Sequence, residues 1–201
     1  NPDVEKDMKN ESVGHLLPGM KVKIVDADED GIGEICFKGP NVMLGYYNNQ
    51  EATDAVLKDG WFYTGDLGRV DTDSFIYITG RKKNVIITEN GKNVFPEELE
   101  YELSHIPFIA ESMVWGDTGD EGVNSTTIAA TVILDEDELK EVLGEEYTDE
   151  QAQDLVWSEI DKINEHLPLF KKIKKLNIRK DKFNKTTGMK IKRFVESNKD
   201  A

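Results

Sequence analysis

Trp61-Phe62-Tyr63-Thr64-Gly65-Asp66-Leu67-Gly68, followed after a short turn by Phe75-Ile76-Tyr77-Ile78-Thr79-Gly80-Arg81-Lys82-Lys83, is the stretch on which the reading of this chain turns. Aromatic and β-branched residues fill both runs, and Asp71-Thr72-Asp73-Ser74 between them is turn chemistry. The pair predicts a β-hairpin over Trp61–Val70 and Phe75–Thr79. It carries one acidic residue on a glycine-flanked turn and delivers a basic cluster at its far end. A carboxylate accepts two hydrogen bonds from a vicinal diol, and a guanidinium forks onto a phosphate. Asp66 and Arg81 are therefore candidate ligands for a ribose and its phosphate. Gly-Asp at a strand end is also ordinary turn chemistry, so the run alone decides nothing about function.

Working outward, residues 1–80 read as strand-rich. Met20, Val22 and Ile24 alternate with Lys21 and Lys23, and Ile32–Phe37 forms the next strand across the acidic hairpin turn Asp26–Gly31. That acidic turn lacks the spacing and the downstream glutamate of a calcium loop. A short helix is expected over Gln50–Leu57. Past Arg81 the texture becomes mixed. Pro96 followed by Glu97, Glu98 and Glu100 suits the first turn of a helix that ends by His105-Ile106-Pro107. Strands are expected over Glu111–Gly116, Thr126–Leu134 and Leu176–Arg179. Thr148-Asp149-Glu150-Gln151 is a capping box opening a helix with Val156, Ile160, Ile163 and Leu167 on one face, and Ile191–Val195 closes the chain. The fold class is α+β: a strand-rich, barrel-like subdomain over residues 1–82, then a small mobile α+β domain with a short central sheet over 83–201.

With 201 residues, 38% hydrophobic and 32% charged, the chain is long enough for one or two cores under a polar surface. The single Cys36 excludes an internal disulfide and a cysteine zinc site, and its apolar neighbours predict a buried thiol. His15, His105 and His166 share no metal spacing, and the Asn-x-Ser/Thr matches at Asn10, Asn124 and Asn184 are incidental. Tyr46-Tyr47 and Trp61-Phe62-Tyr63 read as core packing, as does Trp157. The formal charge of −15 argues against nucleic acid as partner, yet charge is segregated. Residues 134–161 carry twelve acids against Lys140 alone; residues 162–193 carry twelve Lys/Arg against Glu165 and Asp181. Most of that basic tail reads as a solvated charged face. If it meets an anionic lipid surface, binding would be weak and salt-sensitive.

The hairpin continues into Asn84-Val-Ile-Ile-Thr-Glu-Asn-Gly-Lys-Asn-Val-Phe-Pro-Glu-Glu-Leu-Glu100, and Lys185-Thr-Thr-Gly-Met-Lys-Ile-Lys-Arg193 stands near the end. These three blocks in this order resemble the C-terminal part of the adenylate-forming superfamily, and most of all long-chain fatty-acyl-CoA ligases. The resemblance runs from about Gly14 to Arg193. It implies an enzyme that joins a carboxylate to the α-phosphate of ATP and then passes the acyl group to the thiol of coenzyme A, releasing AMP. It also implies a role for each matched residue. Asp66 and Arg81 would hold the ATP/AMP ribose and α-phosphate. Lys190 would be the catalytic cation of adenylation, with Lys192 the secondary candidate because Met189 alters the usual wording of the motif. Lys83 would be the hinge between two catalytic poses. Gly91 would let the pantetheine arm pass, with Lys92 beside it.

The Ser/Thr/Gly-rich phosphate loop and the aromatic-Gly-x-Thr-Glu segment of that superfamily are not found, nor is a G-x-x-x-x-G-K-[ST] loop. The expectation is therefore a C-terminal piece, inactive alone, whose partner is the missing N-terminal lobe of the same enzyme. Fatty acid and CoA would be its substrates, and the Mg²⁺ ligands would lie in that lobe. The implied location is cytoplasmic, with any membrane contact peripheral at the inner face. Two other readings stay open: an adenylation domain activating an amino or aryl acid for a carrier protein, and a non-catalytic interaction module.

Overall fold

A computed structural model describes residues 8–119 and 126–197. The opening Asn1-Pro2 and the Asn124 match lie outside the described residues. The chain divides into two compact units, Asn1–Asn84 and Val85–Ala201.

The first unit is an antiparallel sheet built around one long strand. β1 (Lys21–Val25) pairs with β2 (Gly33–Lys38), and β2 with β4 (Trp61–Val70). On its other edge β4 takes the two-residue β3 (Leu57–Lys58) and then β5 (Ile76–Arg81). Helix α1 (Gln50–Val56) precedes β3, with the Asn49 side chain accepting the Ala52 N–H at 3.0 Å as N-cap. Cys36 is buried as expected. Trp61, Phe62 and Tyr63 are half-buried, and Lys23 stacks over Trp61 with its Nζ 4.6 Å from the ring centroid. The core expectation for Tyr46-Tyr47 is corrected: Tyr47 is 93% exposed and Tyr46 47%. An aromatic pair in a loop has no sheet face to bury against.

The β4–β5 turn is held by one carboxylate. Asp71 accepts the N–H groups of Asp73 and Phe75 at 3.0 and 2.9 Å, and Lys9 Nζ at 2.6 Å. The lysine's hydrogen bond, first among the causes, pulls the Asp71 pKa from 3.8 to about 2. Because the folded-state pKa is depressed, the contribution of Asp71 to stability is complete above about pH 4 and is lost as pH falls toward 2. The melting temperature of Asp71→Asn should therefore lie below wild type at pH 7, and the gap should close between pH 4 and 2. A gap that is constant over that window would show that the charge is not involved.

The second unit has a three-stranded sheet in the order β10-β9-β8. β8 (Ile109–Asp117) and β9 (Thr127–Leu134) are antiparallel, and β10 (Lys175–Arg179) runs parallel to β9. A short hairpin of β6 (Ile86–Ile87) and β7 (Asn93–Val94) leads into α2 (Pro96–Leu103), whose Pro96 occupies the first helical turn and whose Leu99 and Leu103 are buried. α3 (Glu136–Leu143) and α4 (Asp149–His166) follow. The capping box on α4 forms as read: Thr148 Oγ1 accepts the Gln151 N–H and Gln151 Oε1 accepts the Thr148 N–H. Leu99, Leu103, Val114, Val132, Leu139, Val156 and Ile160 form one core, each worth about 1.5–3 kcal/mol of burial. The opposite face of the sheet holds a smaller cluster of Met113, Ile133 and Phe183, flanked by Trp115 and Ile191. The chain closes in α5 (Arg193–Ser197). Among the described residues no helix is long and apolar enough to cross a membrane.

Most lysines of the basic tail are exposed, as a solvated charged face requires, and several of its basic residues are also ion-paired. Lys171 reaches Glu98 at 2.6 Å and Lys185 reaches Glu111 at 2.9 Å. Lys175 pairs with Asp117, Arg179 with Glu196 and Arg193 with Glu100. Much of that positive charge is answered by carboxylates brought from elsewhere in the same unit.

Candidate functional site

Asp66 owes its position to a break in the β2–β4 ladder. Cys36 pairs with Tyr63 and Glu34 with Leu67, so Thr64, Gly65 and Asp66 all oppose the single residue Ile35. A bulge of this kind re-aims a side chain out of the pleat. Thr64 Oγ1 pins it by donating to the Ile35 carbonyl at 2.8 Å and accepting the Asp66 N–H at 3.0 Å. Gly65 takes φ +70°, a left-handed value that costs a side chain about 1–2 kcal/mol. Three residues on, Gly68 is needed for a different reason: a Cβ there would stand 2.0 Å from the Tyr77 carbonyl oxygen.

On the other edge of β4, Asp66 lies directly opposite Arg81 in register. Arg81 Nε donates to Asp66 Oδ1 at 2.8 Å, with the two side chains 45% and 25% exposed. The structure thus brings these two candidate residues together on a rigid strand pair, accessible to solvent. Lys82 and Lys83 follow in a 3₁₀ turn, Lys82–Asn84. Lys82 is not simply an exposed turn residue, since its Nζ donates to Glu34 Oε2 at 2.8 Å. Glu34, buried within β2, raises the Lys82 pKa through that bond. The sequence reading did not single out Glu34. A lone carboxylate in Gly33-Glu34-Ile35-Cys36-Phe37 was the available signal.

The remaining candidates belong to the second unit. Gly91 and Lys92 lie in the β6–β7 hairpin, where Gly91 has φ +68° and its N–H donates to the Thr88 carbonyl at 2.8 Å. Thr88 also receives the Lys92 N–H on its hydroxyl at 3.2 Å, so the turn is braced at its base. Among the described residues, a Cβ on Gly91 would meet no atom within 4 Å. A small cavity of about 90 Å³ adjoins Thr88–Asn90, with Lys172 and Lys174 on its wall.

Lys190 is exposed on a tight loop joined by a bridge between Lys185 and Ile191. The Thr186 N–H donates to the Lys190 carbonyl at 2.8 Å, and the Lys190 N–H to Thr186 Oγ1 at 3.3 Å. The loop is fastened beneath by Phe183 and Ile191 against the sheet, and by the fully buried Glu196, which accepts Asn184 N–H and Nδ2 at 2.9 and 2.7 Å. Arg193 donates to the Val114 carbonyl at 2.9 Å and pairs with Glu100. Burial raises the Glu100 pKa even against that arginine. Among the described residues, no group of three or more His, Cys, Asp or Glu is placed to hold a metal ion.

Residues 83–196, more than half of the chain, match the family described as AMP-binding enzyme C-terminal domain. The chain belongs to this family. Residues 1–47 match the AMP-binding enzyme family itself. Among relatives, the long-chain-fatty-acid–CoA ligase ACSBG1 of Mus musculus is 46% identical over 108 residues, covering 53% of this chain and 15% of the relative. FadD15 of Mycobacterium tuberculosis, a long-chain-fatty-acid–CoA ligase, is 46% identical over 111 residues, covering 55% of this chain and 18% of its own. The matched stretch thus spans under a fifth of the length of these relatives. Among solved structures, the o-succinylbenzoate CoA synthetase of Bacillus subtilis with its acyl-adenylate intermediate superposes at a TM-score of 0.73. It is 30% identical and covers 96% of this chain and 36% of its own. The anthranilate CoA ligase AuaEII with anthranoyl-AMP shares the fold at a TM-score of 0.76 and 23% identity, over 96% of this chain and 36% of its own.

Proposed function

We propose that this chain is the C-terminal part of an ATP-dependent fatty-acyl-CoA ligase and does not catalyse either half-reaction without the preceding lobe. The carboxylate oxygen of a fatty acid attacks the α-phosphorus of ATP, and pyrophosphate leaves. The CoA thiol then attacks the acyl carbon, and AMP leaves. The first step brings anions together, so what the protein supplies is position and fixed positive charge.

The observation that carries the reading is the Asp66–Arg81 pair, presented side by side from the β4 bulge and from β5. The Asp66 carboxylate accepts from the ribose hydroxyls, and Arg81, held beside it through Nε, uses its terminal guanidinium nitrogens for the ribose or the α-phosphate. Lys190 supplies the cation at the α-phosphate. Lys83, exposed in its 3₁₀ turn, is the pivot that exchanges the Lys190 loop for the Gly91 hairpin between the two steps. Lys92 flanks the passage of the pantetheine arm. Mg²⁺ enters with ATP, with its protein ligands in the preceding lobe. A fatty acid is favoured by the relatives named long-chain-fatty-acid–CoA ligases, 46% identical over about half of this chain. The same relatives favour CoA over a carrier protein as acceptor.

The test is Asp66→Ala in the full-length enzyme. Two charge-assisted hydrogen bonds are lost, so KM for ATP should rise roughly 10–100-fold while KM for fatty acid and for CoA stays put. An unchanged KM for ATP would remove Asp66 from the nucleotide site. Steady-state rates with octanoate, palmitate and benzoate would decide the acid class.

A further inference from the structure

Glu34 is a carboxylate 7% exposed inside an apolar strand, flanked by Ile35 and Cys36 at 1% and 0%. Its two oxygens serve two different partners. Oε1 accepts the Gly65 N–H at 3.1 Å, and Oε2 accepts Lys82 Nζ at 2.8 Å. Gly65 is the residue before Asp66, and Lys82 is the residue after Arg81. Since Asp66 and Arg81 face each other across β4 and β5, one carboxylate grips the chain immediately beside both members of the pair. It does so from β2, the strand on the far edge of β4.

We propose that Glu34 is the positioning residue of the nucleotide site, the group that fixes where Asp66 and Arg81 are presented. The proposal rests on the reading that this pair meets the ribose. Core packing gives no reason for a carboxylate here. Burying one is costly, and an apolar residue of similar volume usually serves a core as well or better. What only a carboxylate can do at this point is bind an amide and an ammonium together. The Gly65 amide needs such an acceptor, because the bulge removes it from the β2–β4 ladder. Without it, the left-handed turn at Gly65 keeps the Thr64 hydroxyl as its tie on the β2 side, and the approach of Asp66 to Arg81 shifts with that turn. On the other side, a released Lys82 frees the strand end that carries Arg81.

Four variants of the full-length ligase test this: Glu34→Ala, Glu34→Gln, Glu34→Gln with Lys82→Met, and Asp66→Ala as reference. Glu34→Ala should raise KM for ATP about tenfold, the worth of one hydrogen bond to a charged group, with kcat and the KM values for fatty acid and CoA within about twofold. Hydrogen exchange, followed by mass spectrometry on the peptide across Thr64–Leu67, should accelerate. Glu34→Gln keeps an acceptor for Gly65 but loses the charge that answers Lys82, so its KM for ATP should rise less, and adding Lys82→Met should restore it. A wild-type KM for ATP in Glu34→Ala, alongside a raised one in Asp66→Ala, overturns the positioning role. So does a set of Glu34 variants in which kcat and the melting temperature fall and every KM rises together, since that is packing alone. If Asp66→Ala itself leaves KM for ATP unchanged, the ribose reading fails and takes the proposal with it. Faster exchange at Gly65 would then still report the clamp as a structural contact.

Discussion

Lys190→Ala in the full-length ligase is expected to slow acyl-adenylate formation by about 10²–10³-fold, the cost of one preorganised charge at a developing anion. Transfer to CoA from preformed acyl-adenylate should proceed at the wild-type rate. The loop around Lys190 is built for precision rather than reach. Thr186 closes it through three hydrogen bonds, and Met189 within it takes φ +60°. Phe183, Ile191 and Glu196 fasten both ends to the sheet. A lysine on so short a loop gives up little backbone freedom when it meets a phosphate, which is how a fixed charge stabilises a transition state. We place Lys192 second, because it lies at the base of the loop, where its N–H donates to the Asn184 carbonyl at 2.8 Å. Lys192→Ala should therefore cost far less than Lys190→Ala. Pyrophosphate release measures the first step, and thioester formation from synthetic acyl-adenylate measures the second. Equal losses in both steps would make Lys190 a structural residue, and a larger loss at Lys192 would shift the register by two.

Gly91 should show the opposite split. Gly91→Val is expected to leave adenylation intact and to reduce CoA transfer by about 10²-fold, the scale of a misplaced reacting group. Two effects are combined in that variant. Valine at φ +68° strains the turn by about 1–2 kcal/mol, and its side chain occupies the space beside the hairpin. Among the described residues no atom lies within 4 Å of the added Cβ, so their packing does not oppose the substitution. Gly91→Asn separates the two causes, since asparagine tolerates a positive φ. If passage of the pantetheine arm is what matters, asparagine slows CoA transfer nearly as much as valine. If asparagine restores the rate, turn strain is the cause and the passage role falls.

The Gly91 turn was legible because its requirement is local, whereas Lys190 was singled out by resemblance and the left-handed residue of its loop is Met189. A turn needs its glycine, a capping box needs Thr148 and Gln151 three residues apart, and Pro96 with its acids marks a helix start. The hairpin of β4 and β5 was equally readable from its alternation and its Asp71 turn. α3 was missed, although Asp135 caps it and Leu139 and Leu143 share a face, because its acid-rich sequence masks a stripe only two residues long. β3, β6 and β7 were missed because two-residue strands carry no periodicity. Tyr46 and Tyr47 were misplaced because aromatic character predicts burial only where an element supplies a face.

The sequence by itself determined the α+β class, the ordered blocks that relate this chain to AMP-binding enzymes, and the identity of Asp66, Arg81, Gly91 and Lys190 as candidates. Turn and strand signals depend on neighbours within a few residues, whereas Gly91 and Lys190 were singled out by the resemblance of three ordered blocks between Trp61 and Arg193. Only the tertiary structure decided that Asp66 leaves the pleat on a bulge, that Arg81 stands opposite it, and that Glu34 holds the residues beside both. Only the fold, too, paired the basic tail with Glu98, Glu100, Glu111 and Asp117, turning a charge asymmetry along the chain into local ion pairs. The physical reason is common to all of these. Hydrogen bonds and ion pairs between residues dozens of positions apart are set by strand register and packing, and no periodicity along the chain records them.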